Sequence, residues 1–341
     1  MAATISLPAS MRVVHQPDPQ STNLKMTEGP IPSLQSPSDI LIKVATTSPC
    51  LGELHWVANM PGFFPADKEP VPGQDVAGTV IQAAKDSGFT PGDEVFGRIT
   101  AIYPGGCREY AVVKKEEMAL KPSGLSWEEA AATPLSALTA WQALFIQGTL
   151  EKAAVFGDKE AKARNGQKKV FIAGAGTSVG TWAVQFAALA GAGRTVALCS
   201  GARADWITEM GATDVVDYTK TDVDAWVGEA QDREVDLVVD CVGGASMKSL
   251  WSVIKDGGTF LSICAPPESV KPAQNTKKME KTAWFVVESL GDQLSEIAQL
   301  VVAGKAKPII DSAVSFDQFQ DAFNKVESRK TKGKVIIRIA V

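Results

Sequence analysis

The chain has few of the residues on which metal sites and disulfide frameworks depend. Its 341 residues include two histidines, His15 and His55. The five cysteines are scattered, and no two of them form a CxxC pair. A four-cysteine zinc ribbon and a disulfide-stabilised fold are therefore excluded, and a reducing compartment is expected.

The sequence also lacks long apolar runs and an excess of positive charge. No run approaches the roughly 20 residues that a membrane-spanning helix needs, and the formal net charge is −5. We therefore expect neither a membrane nor a nucleic-acid partner. Residues 1–14 show no secretory signal, which favours a cytoplasmic location. The same segment contains Arg12 and no acidic residue, so a mitochondrial presequence is the second interpretation.

Composition changes along the chain and predicts two kinds of domain. Residues 1–125 are rich in proline and glycine, carry short apolar runs such as ILIKVA at 40–45, and predict a β-rich unit. From Ser126, a predicted helix N-cap, apolar strands alternate with helices. Continuous apolar strands separated by helices are typical of a parallel sheet covered on both faces. The polar segment 151–168 is predicted to be a surface connection.

The stretch FIAGAGTSVG, residues 171–180, lies between a predicted strand and a predicted helix. This context and its glycine spacing are the fingerprint of a dinucleotide-binding turn. Glycine lets the backbone approach a pyrophosphate, and the amides at the following helix N-terminus stabilise the anion. A purely structural turn is the alternative. The residues predicted to contact the cofactor here are Gly174, Gly176, Thr177, Ser178, Val179 and Gly180.

The end of the next predicted strand indicates which dinucleotide binds. NAD-binding sites usually place an acidic residue there, which accepts a hydrogen bond from the ribose 2′-hydroxyl. Here the strand TVALCS ends before Gly201, with Ser200 as its last residue and Arg203 shortly after. A hydroxyl and a guanidinium suit the 2′-phosphate of NADP(H), which a carboxylate would repel. NADP(H) is therefore the predicted cofactor; a solvated Ser200 and Arg203 are the alternative.

Several motifs spread over nearly the whole chain form a further pattern. They are VPGQDVAGTV (71–80), FTPGDEVFG (89–97), GGCREYAVV (105–113), AAATPLSALTAW (130–141), the glycine turn, GATDVVDY (211–218) and GKVIIRI (333–339). Together they make the chain resemble the medium-chain dehydrogenase/reductase superfamily. The resemblance implies an α/β fold with a GroES-like, β-rich catalytic domain at 1–125 and 268–341. It also implies a Rossmann cofactor domain, a doubly wound parallel sheet, at 126–267.

The zinc alcohol dehydrogenases of this family differ from the chain at their catalytic metal site. Where the resemblance places their Cys, His and Cys ligands, this sequence has Cys50, Gln74 and Ser136. Neither an amide nor a neutral hydroxyl is a normal zinc ligand. The segment 92–105, which matches the family's four-cysteine zinc lobe, has no cysteine. We therefore predict no metal, and the chain resembles the zinc-independent quinone oxidoreductase and enoyl reductase branch.

The resemblance to that branch implies further cofactor contacts. Quinone oxidoreductases hold the 2′-phosphate with a lysine and a tyrosine, whose places are taken here by Arg203 and Tyr218. The resemblance also puts the loop after GGTFLSICA beside the nicotinamide. We therefore expect backbone contacts from Ile263, Cys264 and Ala265.

The predicted absence of a metal also bears on the reaction. Reduction of an isolated carbonyl is harder without a Lewis acid, because nothing strong stabilises the developing alkoxide. A C=C bond conjugated to a carbonyl is a better match, since its negative charge spreads into an enolate. We predict an NADPH-dependent reductase of a small-molecule enone, quinone or polyketide-type enoyl substrate. The resemblance implies that the protein is a homodimer or a monomer.

Three residues are candidates for acid–base chemistry: His55, Thr139 and Tyr103. His55 follows Cys50 at the spacing of the proton-relay histidine in zinc alcohol dehydrogenases, which the chain resembles there. Mitochondrial enoyl reductases, which it resembles around NMPGFFP, carry a tyrosine where Phe64 stands. Two alternatives stay open: a carbonyl or alcohol oxidoreductase that uses His55, and an NADPH-binding homologue without turnover.

Overall fold

The structure, a computed structural model, describes residues 7–340 apart from the side chain of Gln231, and it divides into two compact units. The first unit comprises residues 7–138 and 288–340, and the second unit comprises residues 139–287. The domain boundaries predicted after residues 125 and 267 lie earlier in the chain. The second boundary differs because the strand Lys281–Trp284 still belongs to the sheet of the second unit.

The described chain contains strands and helices throughout its length. The strands are β1 Met11–His15, β2 Lys25–Gly29, β3 Asp39–Ser48, β4 Asp75–Ala83, β5 Glu94–Arg98, β6 Tyr110–Lys114, β7 Met118–Leu120, β8 Lys169–Ala173, β9 Arg194–Cys199, β10 Asp214–Asp217, β11 Val235–Asp240, β12 Ile254–Ser262, β13 Lys281–Trp284, β14 Ile310–Ser315 and β15 Lys334–Arg338. The helices are α1 Trp56–Asn59, α2 Trp127–Ala132, α3 Pro134–Phe145, α4 Lys159–Asn165, α5 Ser178–Leu189, α6 Ala204–Glu209, α7 Val223–Gly228, α8 Met247–Val253, α9 Gly291–Val302 and α10 Phe319–Glu327. Within residues 7–340, no helix has the length and apolarity needed to cross a membrane.

The first unit is built on a seven-stranded sheet in the order β14-β15-β3-β4-β5-β7, with β6 also paired to β3. Strand β3 is buried along almost its whole length because β15, β4 and β6 all pair with it. Most of these pairs are antiparallel, and β14 with β15 is parallel. This sheet confirms the predicted β-rich, GroES-like unit.

The second unit contains a parallel six-stranded sheet in the order β10-β9-β8-β11-β12-β13. Strands β8 and β11 are buried on both faces, as expected of apolar runs covered by helices. Aromatic side chains pack between two of these helices: Trp141 of α3 meets Phe186 of α5 edge-on at 5.1 Å between ring centroids. The predicted doubly wound parallel sheet is confirmed.

Two local predictions can be compared with the structure. Ser126 caps α2, since its hydroxyl accepts the Glu129 N–H and the Glu129 carboxylate accepts the Ser126 N–H, which confirms the predicted N-cap. The segment 151–168, predicted to be a surface connection, is mostly exposed and contains the helix α4. Asp158 provides the N-cap of this helix by accepting the N–H of Ala161.

Candidate functional site

A glycine-rich turn joins β8 to α5 in the second unit. Gly174 has φ 76°, in the left-handed region that favours glycine. A side chain on Gly180 would collide with the carbonyl oxygen of Gly174, so the first turn of α5 packs directly on the loop. Thr177 caps the helix, because its hydroxyl accepts the N–H of Gly180 at 3.1 Å. The predicted strand–turn–helix arrangement is confirmed.

The start of α5 suits a bound pyrophosphate. Ser178 and Val179 are the first two helical residues, and N–H groups at these positions have no acceptor within a helix. They also lie at the positive end of a 12-residue helix. Donors in this arrangement bind phosphate groups. The turn therefore fits a dinucleotide, while the contacts of all six predicted residues, 174 and 176–180, with the cofactor stay predictions.

The turn lies at the point of the sheet where strand order reverses. Strand β8 has β9 on one side and β11 on the other, and open α/β sheets bind ligands at such a point. A Cβ on Gly174 would lie 2.6 Å from Val242, which follows β11. A Cβ on Gly243 would lie 2.6 Å from the Cβ of Cys264, which follows β12. The predicted segment 263–265 is therefore at the same sheet edge as the turn, and its contact with nicotinamide stays a prediction.

A buried pair that sequence analysis missed fixes these loops. The Ser262 hydroxyl donates to Asp240 Oδ2 at 2.8 Å. The same carboxylate accepts the N–H groups of Val242 and Gly243, and the Ser262 hydroxyl accepts that of Cys264. Burial raises the pKa of Asp240. The sequence signal for this pair is a polar residue at the end of each of two apolar strands, Asp240 in β11 and Ser262 in β12.

Arg203 extends back to the glycine turn. Its guanidinium donates to the carbonyl oxygen of Gly176, and a Cβ on Gly176 would lie 2.7 Å from the Arg203 Cδ. The Arg203 N–H donates to the carbonyl oxygen of Ser200 at 2.9 Å. The structure thus brings Arg203 beside the turn where phosphates bind, and a guanidinium there suits a phosphate group. Its assignment to the 2′-phosphate stays a prediction.

Tyr218 follows β10, the neighbour of β9. Its N–H donates to the Cys199 carbonyl oxygen at 3.2 Å, and its side chain is exposed. The preceding Asp217 accepts from the Thr219 hydroxyl at 2.7 Å and from the Gly201 N–H. The Thr219 hydroxyl chiefly holds the pKa of this carboxyl below its usual value. Asp217, which sequence analysis missed, therefore secures the loop after β9.

In the first unit, the end of β3 lies opposite the start of β4. Ser48 and Asp75 are paired residues of the two strands. Cys50 follows β3 by two residues and Gln74 directly precedes β4, so they occupy the same end of this strand pair. Gln74 is 3% exposed, and no donor among residues 7–340 bonds its Oε1 atom.

Glu53 bridges the two chain segments at this end. Its Oε1 accepts the N–H of Cys50 at 3.2 Å, and its Oε2 accepts the N–H of Gly73 at 3.3 Å. Burial raises the pKa of Glu53 to about 7. The buried carboxyl therefore holds a proton more readily than an exposed glutamate does.

Asp75 and Lys334 connect a third segment. Asp75 Oδ1 accepts the N–H of Leu135, at the start of α3, at 2.6 Å. Asp75 Oδ2 lies 2.9 Å from Lys334 Nζ, which also donates to the carbonyl oxygen of Pro49 at 2.9 Å. The α3 start that bears Ser136 is thereby held at the β3–β4 end.

The side chains at the family's zinc positions do not fit a zinc ion. Burial raises the pKa of Cys50 to about 12, which keeps its thiol neutral. Gln74 and Ser136 offer an amide and a hydroxyl, and zinc sites use thiolate, imidazole or carboxylate. Within the described part of the chain, no group of three or more His, Cys, Asp or Glu side chains could hold a metal.

The three candidate acid–base residues have different neighbours. The His55 Nε2 lies 3.9 Å from Glu327 Oε2, and the His55 side chain is 44% exposed. The Tyr103 ring has the Lys114 ammonium 5.2 Å from its centroid. Thr139 is buried in the second unit. A catalytic role for any of the three stays a prediction.

Comparison with known proteins matches two family patterns and many relatives. The pattern described as "Alcohol dehydrogenase GroES-like domain" covers residues 36–123, and that described as "Zinc-binding dehydrogenase" covers residues 210–337. The chain is 41% identical over 340 residues to the "Probable zinc-binding oxidoreductase, mitochondrial" of Arthroderma benhamiae, which covers 99% of this chain and 100% of that protein.

Two further matches come from a plant and a bacterium. The chain is 30% identical to the 2-methylene-furan-3-one reductase of Solanum lycopersicum, over 98% of this chain and 81% of that protein. Its fold is similar to that of the quinone oxidoreductase from Coxiella burnetii, with a TM-score of 0.78 and 21% identity. That match covers 97% of this chain and all of the bacterial chain, and at this identity it supports the fold alone.

Proposed function

Because the chain belongs to the medium-chain dehydrogenase/reductase superfamily of oxidoreductases, we propose that it uses NADPH to reduce a C=C bond conjugated to a carbonyl. The observation that carries this proposal is the residue set at the family's zinc positions, where Gln74 and Ser136 cannot supply metal ligands. An enone, a quinone or an enoyl compound can be reduced with hydrogen bonds in place of a Lewis acid.

The cofactor half of the proposal depends on the second unit. When bound, NADPH supplies the hydride. The first-turn amides of α5 would hold the pyrophosphate. Arg203, together with Ser200 before it in the chain and Tyr218 directly after β10, would hold the 2′-phosphate.

The name of one relative supports the substrate class. The plant relative is a reductase of a methylene-furanone, whose C=C bond is conjugated to a carbonyl. That name describes the plant protein, and the acceptor of this chain is what the assay below identifies.

Purified protein assayed with a panel of enones, quinones, ketones and alcohols tests the proposal. We expect NADPH oxidation with conjugated acceptors and little with isolated ketones. The second candidate is a carbonyl or alcohol oxidoreductase, because His55 is partly exposed and lies beside Glu327. Turnover that is confined to ketones or alcohols, and that is lost in His55→Ala, would support this second reaction. NADPH binding without turnover of any acceptor would leave a non-catalytic binder.

We propose the cytosol as its location, because the chain carries only scattered cysteines. The mitochondrion is the alternative, since the fungal relative bears that location in its name. Fractionation of cells that express the tagged full chain distinguishes the two.

A further inference from the structure

Three residues of the first unit that are distant in sequence are tied together by buried side chains. They are Cys50 after β3, Gln74 before β4 and Ser136 in the first turn of α3. None of the ties uses the three side chains themselves. Each tie instead joins backbone atoms of these residues or of their immediate neighbours.

The first tie is Glu53, whose two carboxyl oxygens accept the N–H groups of Cys50 and Gly73. Gly73 directly precedes Gln74. The two N–H groups therefore converge on one carboxyl group, which brings Cys50 and Gln74 to the same place.

The second tie is the buried ion pair of Asp75 and Lys334. Asp75 follows Gln74, and its Oδ1 accepts the N–H of Leu135, the residue before Ser136. Lys334 joins the Oδ2 of the same carboxylate to the carbonyl oxygen of Pro49, the residue before Cys50. Both ions are at most 5% exposed. The segments that contain Cys50, Gln74 and Ser136 are thus all connected through the side chains of Glu53, Asp75 and Lys334.

The side chains held in this way are neutral hydrogen-bonding groups. Ser136 is buried and carries a hydroxyl, and Gln74 is buried and carries an amide. Cys50 carries a thiol, whose S–H donates at 3.6 Å to the carbonyl oxygen of the neighbouring Leu51 and would have to rotate away to reach a ligand. The Gln74 Oε1 has no hydrogen-bond donor among residues 7–340. A buried amide end without a partner costs free energy unless a ligand completes it. The terminal amide torsion is broad and roughly two-fold, so half a turn presents the NH₂ group in place of the oxygen.

We propose that Cys50, Gln74 and Ser136 form an oxyanion pocket that binds the carbonyl oxygen of the substrate. The resemblance places them where zinc-dependent relatives hold a metal. The N–H and O–H groups of Gln74 and Ser136, joined by the Cys50 S–H when it rotates away from the Leu51 carbonyl oxygen, take over the role of the metal toward that oxygen. This inference rests on the proposed reduction of a conjugated C=C bond.

The chemistry of the pocket follows from the electron balance of that reduction. Hydride adds to the β carbon, the π electrons of the C=C bond shift to form the enolate, and the carbonyl oxygen gains negative charge. Donors placed at that oxygen stabilise the charge as it develops. Protonation of the α carbon by solvent then completes the reduction, and one NADPH and one proton are consumed for each C=C bond.

The convergence can be tested without any substrate. Gln74→His/Ser136→Cys gives the chain a Cys, His, Cys set of the kind that binds catalytic zinc. Titration with Co²⁺ should then give about one ion per chain and a thiolate-to-cobalt absorption band. Cys50→Ser in the same background should abolish the band. A folded double variant that still binds NADPH but takes up no more Co²⁺ than the wild type would overturn the pocket.

The role toward substrate is tested by Gln74→Met, which keeps the side-chain volume and removes the amide. We expect kcat with the best conjugated acceptor to fall by about 10- to 100-fold, with the Kd for NADPH unchanged. The matched control is Gln82→Met, at an exposed position of the same strand β4. Ser136→Ala should lower kcat in the same direction and provides a second reading if Gln74→Met folds poorly.

The outcomes separate this inference from the proposed function. A wild type that reduces no conjugated acceptor would refute the proposed function and with it the oxyanion role. Wild-type turnover that Gln74→Met and Ser136→Ala both leave within about twofold would refute the pocket and leave the proposed function intact.

Discussion

The buried carboxyl of Glu53 should make the stability of the first unit depend on pH, and Glu53→Gln should remove that dependence. Burial raises its pKa from 4.5 to about 7. The folded protein therefore keeps a proton, between these two values, that the unfolded chain releases. This group favours the folded state most at acidic pH, and its contribution is lost as pH rises from 4.5 through 7. The difference between the two pKa values is equivalent to about 3 kcal/mol at pH 7 and above.

Charged neighbours on several elements modulate this value without cancelling it. Lys334 of β15 and the N–H groups of Cys50 and Gly73 lower the pKa of Glu53, and Asp75 of β4 raises it. Lys68 and Arg98 are further cations within electrostatic range of Glu53. Desolvation remains the largest influence on this carboxyl.

Urea unfolding at pH 5 and pH 8 measures the effect. Pulse-labelling mass spectrometry of β3 and β4 reads the first unit separately from the second. Glu53→Gln leaves one backbone N–H less well paired and should cost stability at pH 5. The difference in unfolding free energy between Glu53→Gln and the wild type should then be about 2 to 3 kcal/mol more favourable to the variant at pH 8 than at pH 5. Glu209→Gln, at an exposed position of α6, is the control. If this difference in unfolding free energy is the same at both pH values within about 0.5 kcal/mol, the carboxyl has an ordinary pKa and the reasoning is wrong.

Three further predictions concern the cofactor, the core and the sheet edge. Arg203→Ala should raise the KM for NADPH at least about tenfold, because a charge-assisted bond to the 2′-phosphate is lost, and should raise the KM for NADH less than about twofold. Equal effects on the two KM values in steady-state kinetics would contradict the assignment of Arg203 to the 2′-phosphate. Trp141→Ala should cost about 3 to 5 kcal/mol in denaturant unfolding, since Trp141 is fully buried against Phe186; a loss below about 1 kcal/mol would contradict this. If β13 of one chain pairs with that of another in a homodimer, Trp284→Asp, at an exposed position of this edge strand, should yield monomers by light scattering. A monomeric wild type would rule out that dimer.

The parts of the fold that could be predicted from sequence are those with local causes. The strand–turn–helix at 169–189 follows from an apolar run, a glycine pattern and an N-cap, all within about two dozen residues. The capping box of Ser126 and Glu129 is equally local. These features need no knowledge of distant segments.

The connections around Cys50 could not be predicted in this way. Lys334 reaches Pro49 and Asp75 because β15 pairs with β3, and no local pattern in a five-residue strand reveals that pairing. The role of Glu53 likewise depends on the loop before Gly73 returning to it. Buried polar partners of this kind are determined by tertiary contacts, so the sequence shows which residues are present and not which of them meet.

The discontinuity of the first unit has a consequence for biosynthesis. The second unit is one continuous segment, 139–287, and all its strands have been synthesised before β15 exists. Strand β3 obtains its β15 neighbour only when residues 334–338 have left the ribosome. A nascent chain can therefore contain the whole second unit while β3 still lacks its β15 neighbour. Chaperone demand should be greatest at that stage and should end when the final strand is inserted.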